Sequence, residues 1–179
     1  MQKKIIISLS RVFPVTHSRR GEPTDFASKL ASGEKKHTIR RNYDLWKVNA
    51  EKMERGKFYL SIRQWSGKPY NSPQVEIAQR HNPIGVQPVE LYYHADNDTI
   101  TAKVMRGERR ISSLDYPEPK PTFANATIDG REWLDADCYT LAKNDGLSVQ
   151  DFKEWFFGKD PKEDKVFKGG IIHFTDLRY

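Results

Sequence analysis

Gly33-Glu-Lys-Lys-His-Thr-Ile-Arg-Arg41, GEKKHTIRR, sets four Lys and Arg side chains and a histidine around one threonine and one isoleucine. Gly33 permits a close chain reversal, and the residues from about His37 read as the start of a strand. Side chains alternate across a strand, so Thr38 and Arg40 share one face while Ile39 and Arg41 share the other. If Ile39 enters the core, Thr38 and Arg40 line the opposite face together, and Lys35 on the turn is near enough along the chain to fold back over it. A Lys, a Thr and an Arg converging on a concave surface suit an anionic or carbonyl ligand. Arg offers a rigid fork of donors, and a lysine crowded by other cations or buried loses its proton more readily. The alternative is a solvated basic edge with a structural threonine.

Upstream, Thr24 follows Pro23 and is expected to cap a helix that carries Phe26, Ala27 and Leu30 on one face and stops at Gly33. Before it, Ile5 to Val12 reads as a β-branched strand near a sheet centre, and THSRRGEP as a loop holding Arg19 and Arg20, candidates for phosphate contact or plain solvated residues. Downstream, a helix is expected from about Tyr43 to Glu54, with Trp46, Ala50 and Met53 inward and Gly56 as its stop. KFYLSIRQW and QVEIAQ alternate as the arms of a hairpin whose loop is SGKPYNSP. VELYYH and TITAKVM form a second hairpin around Ala95-Asp96-Asn97-Asp98.

Three prolines between Leu114 and Phe123 mark an extended connector. Leu134, Cys138 and Leu141 recur at helical spacing up to Gly146. Ser148 and Asp151 then make a capping box for a helix with Phe152, Trp155 and Phe156 on its apolar face. GGIIHF reads as the last strand, with Gly169-Gly170 as a bulge or bend. The order is strand, helix, strand, helix, several antiparallel strands, two short helices, strand, which is an α+β protein or a small barrel carrying helices.

The 179 residues suit one domain on a rough prior of about 100 to 200 residues each, and 12% aromatic content argues for a packed core. A net charge of +6 favours phosphorylated or polyanionic partners. One cysteine, Cys138, makes no internal disulfide, is compatible with a reducing compartment, and sits where a buried inert thiol is expected. With no long apolar run there is no expected membrane span, and the cytoplasm is the default location. The histidines show no metal-ligand spacing, so neither a metal nor a cofactor is expected.

Gly33, Lys35, Thr38 and Arg40 match GxKxxTxR, and the chain resembles the ASCH domain family on this signature. NDGLSVQDFKEWF (144–156) is similar to a second block of that family, and WSGKPYNS (65–72) to a turn in some members. The resemblance implies a single PUA-like small β-barrel with flanking helices over residues 1–179, with an insertion at about 84–125. It implies RNA or nucleotide binding in a cationic cleft beside the signature, with Arg40, Lys36, Arg41, Trp65, Lys68 and Tyr70 as ligand contacts. Trp65 and Tyr70 with Lys68 make a stacking surface for a base on this reading; otherwise Trp65 caps the hairpin core. One bacterial branch of the family hydrolyses N4-acetylcytidine and related amides with a Lys, a Thr and a Glu. That pattern falls on Lys35 as base, Thr38 as nucleophile and, where the Glu stands, Asp145, one methylene shorter. Asp145 also lies at an expected helix C-terminus, where the helix dipole disfavours a negative charge.

Overall fold

The computed structural model describes residues 2–106, 127–128 and 131–179. In chain order its elements are β1 (Lys3–Ser8), α1 (Phe26–Ala31), β2 (His37–Arg40), α2 (Tyr43–Glu54), β3 (Phe58–Trp65), β4 (Gln74–Arg80) and β5 (Gly85–His94). There follow β6 (Thr99–Met105), β7 (Thr127–Ile128), β8 (Arg131–Ala136), α3 (Cys138–Asn144), α4 (Val149–Phe157) and β9 (Lys165–His173). The protein is α+β.

Alternation builds the smaller sheet. Ile5 and Ile7 of β1 are buried while Lys4 and Ile6 face out. β1 runs parallel to β3, with Ile5 opposite Leu60 and Ile7 opposite Ile62, and β4 returns antiparallel on the far side of β3. The order is β1-β3-β4. The first strand therefore stops at Ser8 instead of Val12 and lies at an edge instead of a centre. Val12 is drawn away by its bridge to Pro23, which closes the neck of the intervening loop.

The larger sheet is antiparallel, six-stranded with the two-residue β7 included, in the order β2-β9-β5-β6-β8-β7. The expected hairpin around Ala95–Asp98 is present, and β5 lies between β6 and β9 near the middle of the sheet. Thus the stretch from Ile84 to Met105 supplies central strands, while the expected Pro-rich connector lies outside the described residues. Buried Val89, Leu91, Tyr93 and Val104 form a core face with Phe152 and Phe157 of α4 and Leu141 of α3.

Two expectations on local structure are corrected. Leu134 belongs to β8, opposite Val104, and the helix begins only at Cys138, because the Asp137 carboxylate accepts from the backbone N–H groups of Tyr139 and Thr140. The apolar spacing simply runs backwards past that cap. Gly169 and Gly170 make no bulge. They keep register with Val89 and Pro88, and are small because a Cβ on Gly169 would lie 2.3 Å from the Arg40 carbonyl oxygen and one on Gly170 3.1 Å from the Tyr43 ring.

The expected cap of α1 differs in part. Asp25 stands at the N-cap position in a left-handed conformation with no side-chain cap bond, while the Thr24 hydroxyl accepts from the N–H of Phe26, the first helical residue, at 3.5 Å and donates to the Ser10 carbonyl at 2.7 Å. α2 spans the expected residues, with Trp46 and Met53 buried, and the Ser148 hydroxyl accepts from the Asp151 N–H as the capping box requires. No ladder joins the two sheets among the described residues. Side chains span the seam: Arg40 donates to the Ser8 carbonyl at 2.7 Å and Arg80 to the Phe174 carbonyl at 3.2 Å.

Candidate functional site

The turn after α1 is the foundation of the site. Gly33 takes φ +78°, where glycine carries no steric penalty, and the Lys35 N–H bonds the Lys29 carbonyl. Next, Lys36 donates its N–H to the Asn144 carbonyl at 2.7 Å and accepts from the Phe174 N–H at 2.8 Å, so the basic stretch threads between the end of α3 and the end of β9.

This path drives Lys35 inward. The side chain is 1% exposed, and its ammonium lies 4.0 Å from the centroid of the Phe26 ring. Nζ donates to the Asp145 carbonyl at 2.5 Å and to the Asp145 carboxylate oxygen Oδ1. The shorter acid therefore reaches the lysine without help. Lys29 donates to the next carbonyl, that of Gly146, at 2.7 Å. Two ammonium groups thus meet the end of α3, which offsets the unfavourable placement of an acid there. Gly146 is required at this point, with φ +75° and the stem of Lys35 3.4 Å from where a Cβ would be.

Burial shapes the chemistry of the pair. It pushes the Lys35 ammonium below the ordinary lysine value against the pull of Asp145, with Arg40 and Lys29 adding to the downward push. It pushes the Asp145 carboxyl above its ordinary value against the attraction of Lys35 and Arg40. Burial therefore works on both groups against their mutual attraction.

Thr38 is also buried, and its hydroxyl accepts from Arg40 Nη1 at 2.9 Å. The same Nη1 donates to the Ile39 carbonyl at 2.9 Å, and Nη2 to the Ser8 carbonyl. Burial lowers the Arg40 pKa, and Asp145 holds it up. The four residues therefore form two linked pairs, Lys35 with Asp145 and Thr38 with Arg40, joined by the attraction between Arg40 and Asp145. Ile39, between them in sequence, is buried as well.

A cleft of about 240 Å³ is lined by Ile39, Arg40, Arg41, Trp155, Phe156 and Phe167. Arg41 is exposed, its guanidinium carbon 4.9 Å from the Phe167 ring centroid. Lys36 is half-buried and contributes its backbone to the threading described above. Trp65 and Tyr70 come together at the tip of the β3–β4 hairpin, ring centroids 5.3 Å apart, with Tyr70 88% exposed and Lys68 exposed beside them. They do not line the Arg40 cleft. The hairpin root approaches it: Gln74, opposite Trp65, donates to the Ser8 hydroxyl at 2.9 Å, and Ser8 is the residue whose carbonyl holds Arg40.

Trp155 and Phe156 were readable only as a helix face. The signal available was the run Trp155-Phe156-Phe157, since three successive aromatics on a helix span more of its circumference than one buried stripe covers. Arg19 pairs with Asp151 at 3.0 Å and Glu22 at 2.8 Å, and belongs to a separate cluster around His17. Among the described residues no group of three or more His, Cys, Asp or Glu is placed to hold a metal ion, and no helix is long and apolar enough to cross a membrane. No family model, curated protein or solved structure matches the chain.

Proposed function

We propose that the chain is an ASCH-type, PUA-like domain that binds RNA or a nucleotide-like ligand, with one base seated in the Arg40 cleft. The observation that carries this reading is the composition of that cleft, which Arg40 and Arg41 line together with Trp155 and Phe156. Three of the arginine's N–H donors are committed to Thr38, Ile39 and Ser8, which fixes the guanidinium plane, and an arginine has five. The rest are available to a base carbonyl or a phosphate oxygen while the aromatics supply a stacking wall. The volume is below the roughly 300 to 1,000 Å³ of drug-sized pockets, on the scale of a single base. The α+β fold with two sheets is common ground, and the PUA-like barrel is part of the proposal.

The test is equilibrium binding of cytidine 5′-monophosphate and of a short single-stranded RNA over a salt series. Both bind the wild type, RNA affinity falls with a log–log slope of about −0.7 per neutralised phosphate, and Arg40→Ala weakens both by at least about tenfold. Absence of binding, or binding indifferent to Arg40, contradicts the reading.

The Lys35–Asp145 contact favours a second reading, hydrolysis of N4-acylcytidine amides. Lys35, its proton passed to Asp145, takes the Thr38 proton as Thr38 attacks the acyl carbonyl; the amine leaves with the proton returned by Lys35, and water then cleaves the acyl-Thr38 ester, its hydroxyl going to the acid and its proton to Thr38. Asp145 orients Lys35, and Arg40 stabilises charge beside Thr38. Incubation with N4-acetylcytidine followed by chromatography decides it: cytidine and acetate appear with the wild type and not with Lys35→Ala or Thr38→Ala, and no turnover by the wild type ends it.

A further inference from the structure

We propose that the ligand is an oligonucleotide whose second base docks in a neighbouring cleft between Tyr43 and Trp133, with the linking phosphate at Arg41. This rests on reading the Arg40 cleft as a base pocket. The second cleft measures about 530 Å³, and its lining includes Arg41, Tyr43, Pro88, Trp133 and Lys168. Arg41 lines both clefts. It is exposed, is seated on Phe167, and among the described residues has no carboxylate partner, so its charge is available to a ligand passing between the two hollows.

The second cleft follows from how far α2 covers the larger sheet. Tyr43, the first residue of α2, packs on Gly170, which pairs with Pro88. Beyond that point the same sheet face carries Glu90 and the exposed Lys168. Lys168 pairs with Glu90 there, and Trp133, opposite Met105 on the next ladder, points to the same side, because its neighbour Leu134 shares the inner row with Val104 and Val89. The corner between helix and sheet therefore carries an aromatic on each wall. Its acids are Glu90, which Lys168 neutralises at 2.8 Å, and Asp44. Asp44, with no cation partner among the described residues, repels a phosphate and accepts from a base amine, so the base enters the cleft and the phosphate stays at Arg41.

The experiment compares cytidine 5′-monophosphate with the dinucleotide CpC by calorimetry at one ionic strength. CpC carries less charge than the monophosphate, so a gain in affinity cannot come from charge alone. The expected result is CpC binding about tenfold tighter or more, as stacking of one further base supplies. Trp133→Ala abolishes that gain and leaves the monophosphate affinity unchanged, Trp133→Phe keeps most of the gain, and Arg41→Ala lowers the salt dependence for CpC. Equal affinities for the two ligands, or equal losses for both in Trp133→Ala with Trp133→Phe no better, overturn the second cleft while leaving the first standing. A polypeptide as natural occupant gives that same equality and counts against the proposal. Failure of the wild type to bind either ligand removes the base pocket itself.

Discussion

At the scale of the residue, the question is why a lysine with almost no exposed surface is tolerated. Its ammonium is held by a carboxylate, a carbonyl and an aromatic face, so the charge lost to water is matched by directed partners. Such a pair costs little when both members leave together and much when one remains. Asp145→Leu is therefore expected to cost about 3–5 kcal/mol in chemical denaturation, and adding Lys35→Met to recover most of it; a double variant no more stable than the single one contradicts the pairing. Arg40 is the other position where chemistry outweighs charge. Arg40→Lys keeps the charge but cannot reach Thr38, Ile39 and Ser8 at once, so ligand affinity is expected to fall nearly as far as in Arg40→Ala. Full retention of binding by the lysine variant would show that the fork is not used.

At the scale of the element, the site exists because β2 pairs with β9, and Tyr43 of α2 packs on it, at a place where two glycines let them approach. Gly169→Ala puts a methyl group against backbone of Arg40, which cannot swing aside as a side chain does. A loss of stability of about 1–3 kcal/mol is expected together with weaker nucleotide binding, both read on the same purified variant; unchanged binding would mean that the exit of β2 does not set Arg40. The caps act more locally: Asp137→Ala is expected to cost about 1 kcal/mol in thermal unfolding without changing binding. Much of this was legible in the chain. The Ser148 capping box, the Gly33 and Gly56 stops and the alternation of β3 to β6 are local signals, and local physics decided them. The spacing of Gly33, Lys35, Thr38 and Arg40 placed Ile39 inward and Thr38 beside Arg40 from the two-residue period alone. What was not legible depends on distant partners. The need for Gly169 comes from a carbonyl on β2, the start of α3 was hidden because Leu134 fits both a helical and a strand period, and the edge position of β1 is a fact about β3 and β4.

At the scale of the whole molecule, a buried polar knot ties the site to the rest. His37 and His173 face each other across the β2–β9 ladder, and the Tyr179 hydroxyl shares hydrogen bonds with His37 at 2.8 Å and with Asn144, the residue before Asp145, at 2.9 Å. Gln87 of β5 both accepts from and donates to the Tyr179 backbone. Burial pushes His173 from 6.5 down to about 3, and His37 well below its ordinary value. The unfolded chain therefore binds more protons than the folded one between about pH 6.5 and 3. Stability owed to the neutral histidines is present above that window and declines as pH falls through it, by about 1.4 kcal/mol per pH unit for each proton. His173→Asn is expected to flatten the dependence of unfolding free energy on pH between 6.5 and 4, and an unchanged slope contradicts the assignment. Arg40, Trp155 and Phe156 line the proposed base pocket, and the chain's four tryptophans allow it to be addressed directly. The measurement is an NMR titration with cytidine 5′-monophosphate that follows the indole N–H signals: Trp155 shifts saturably and the buried Trp46 does not, whereas a Trp155 signal that stays still at saturating nucleotide contradicts the pocket.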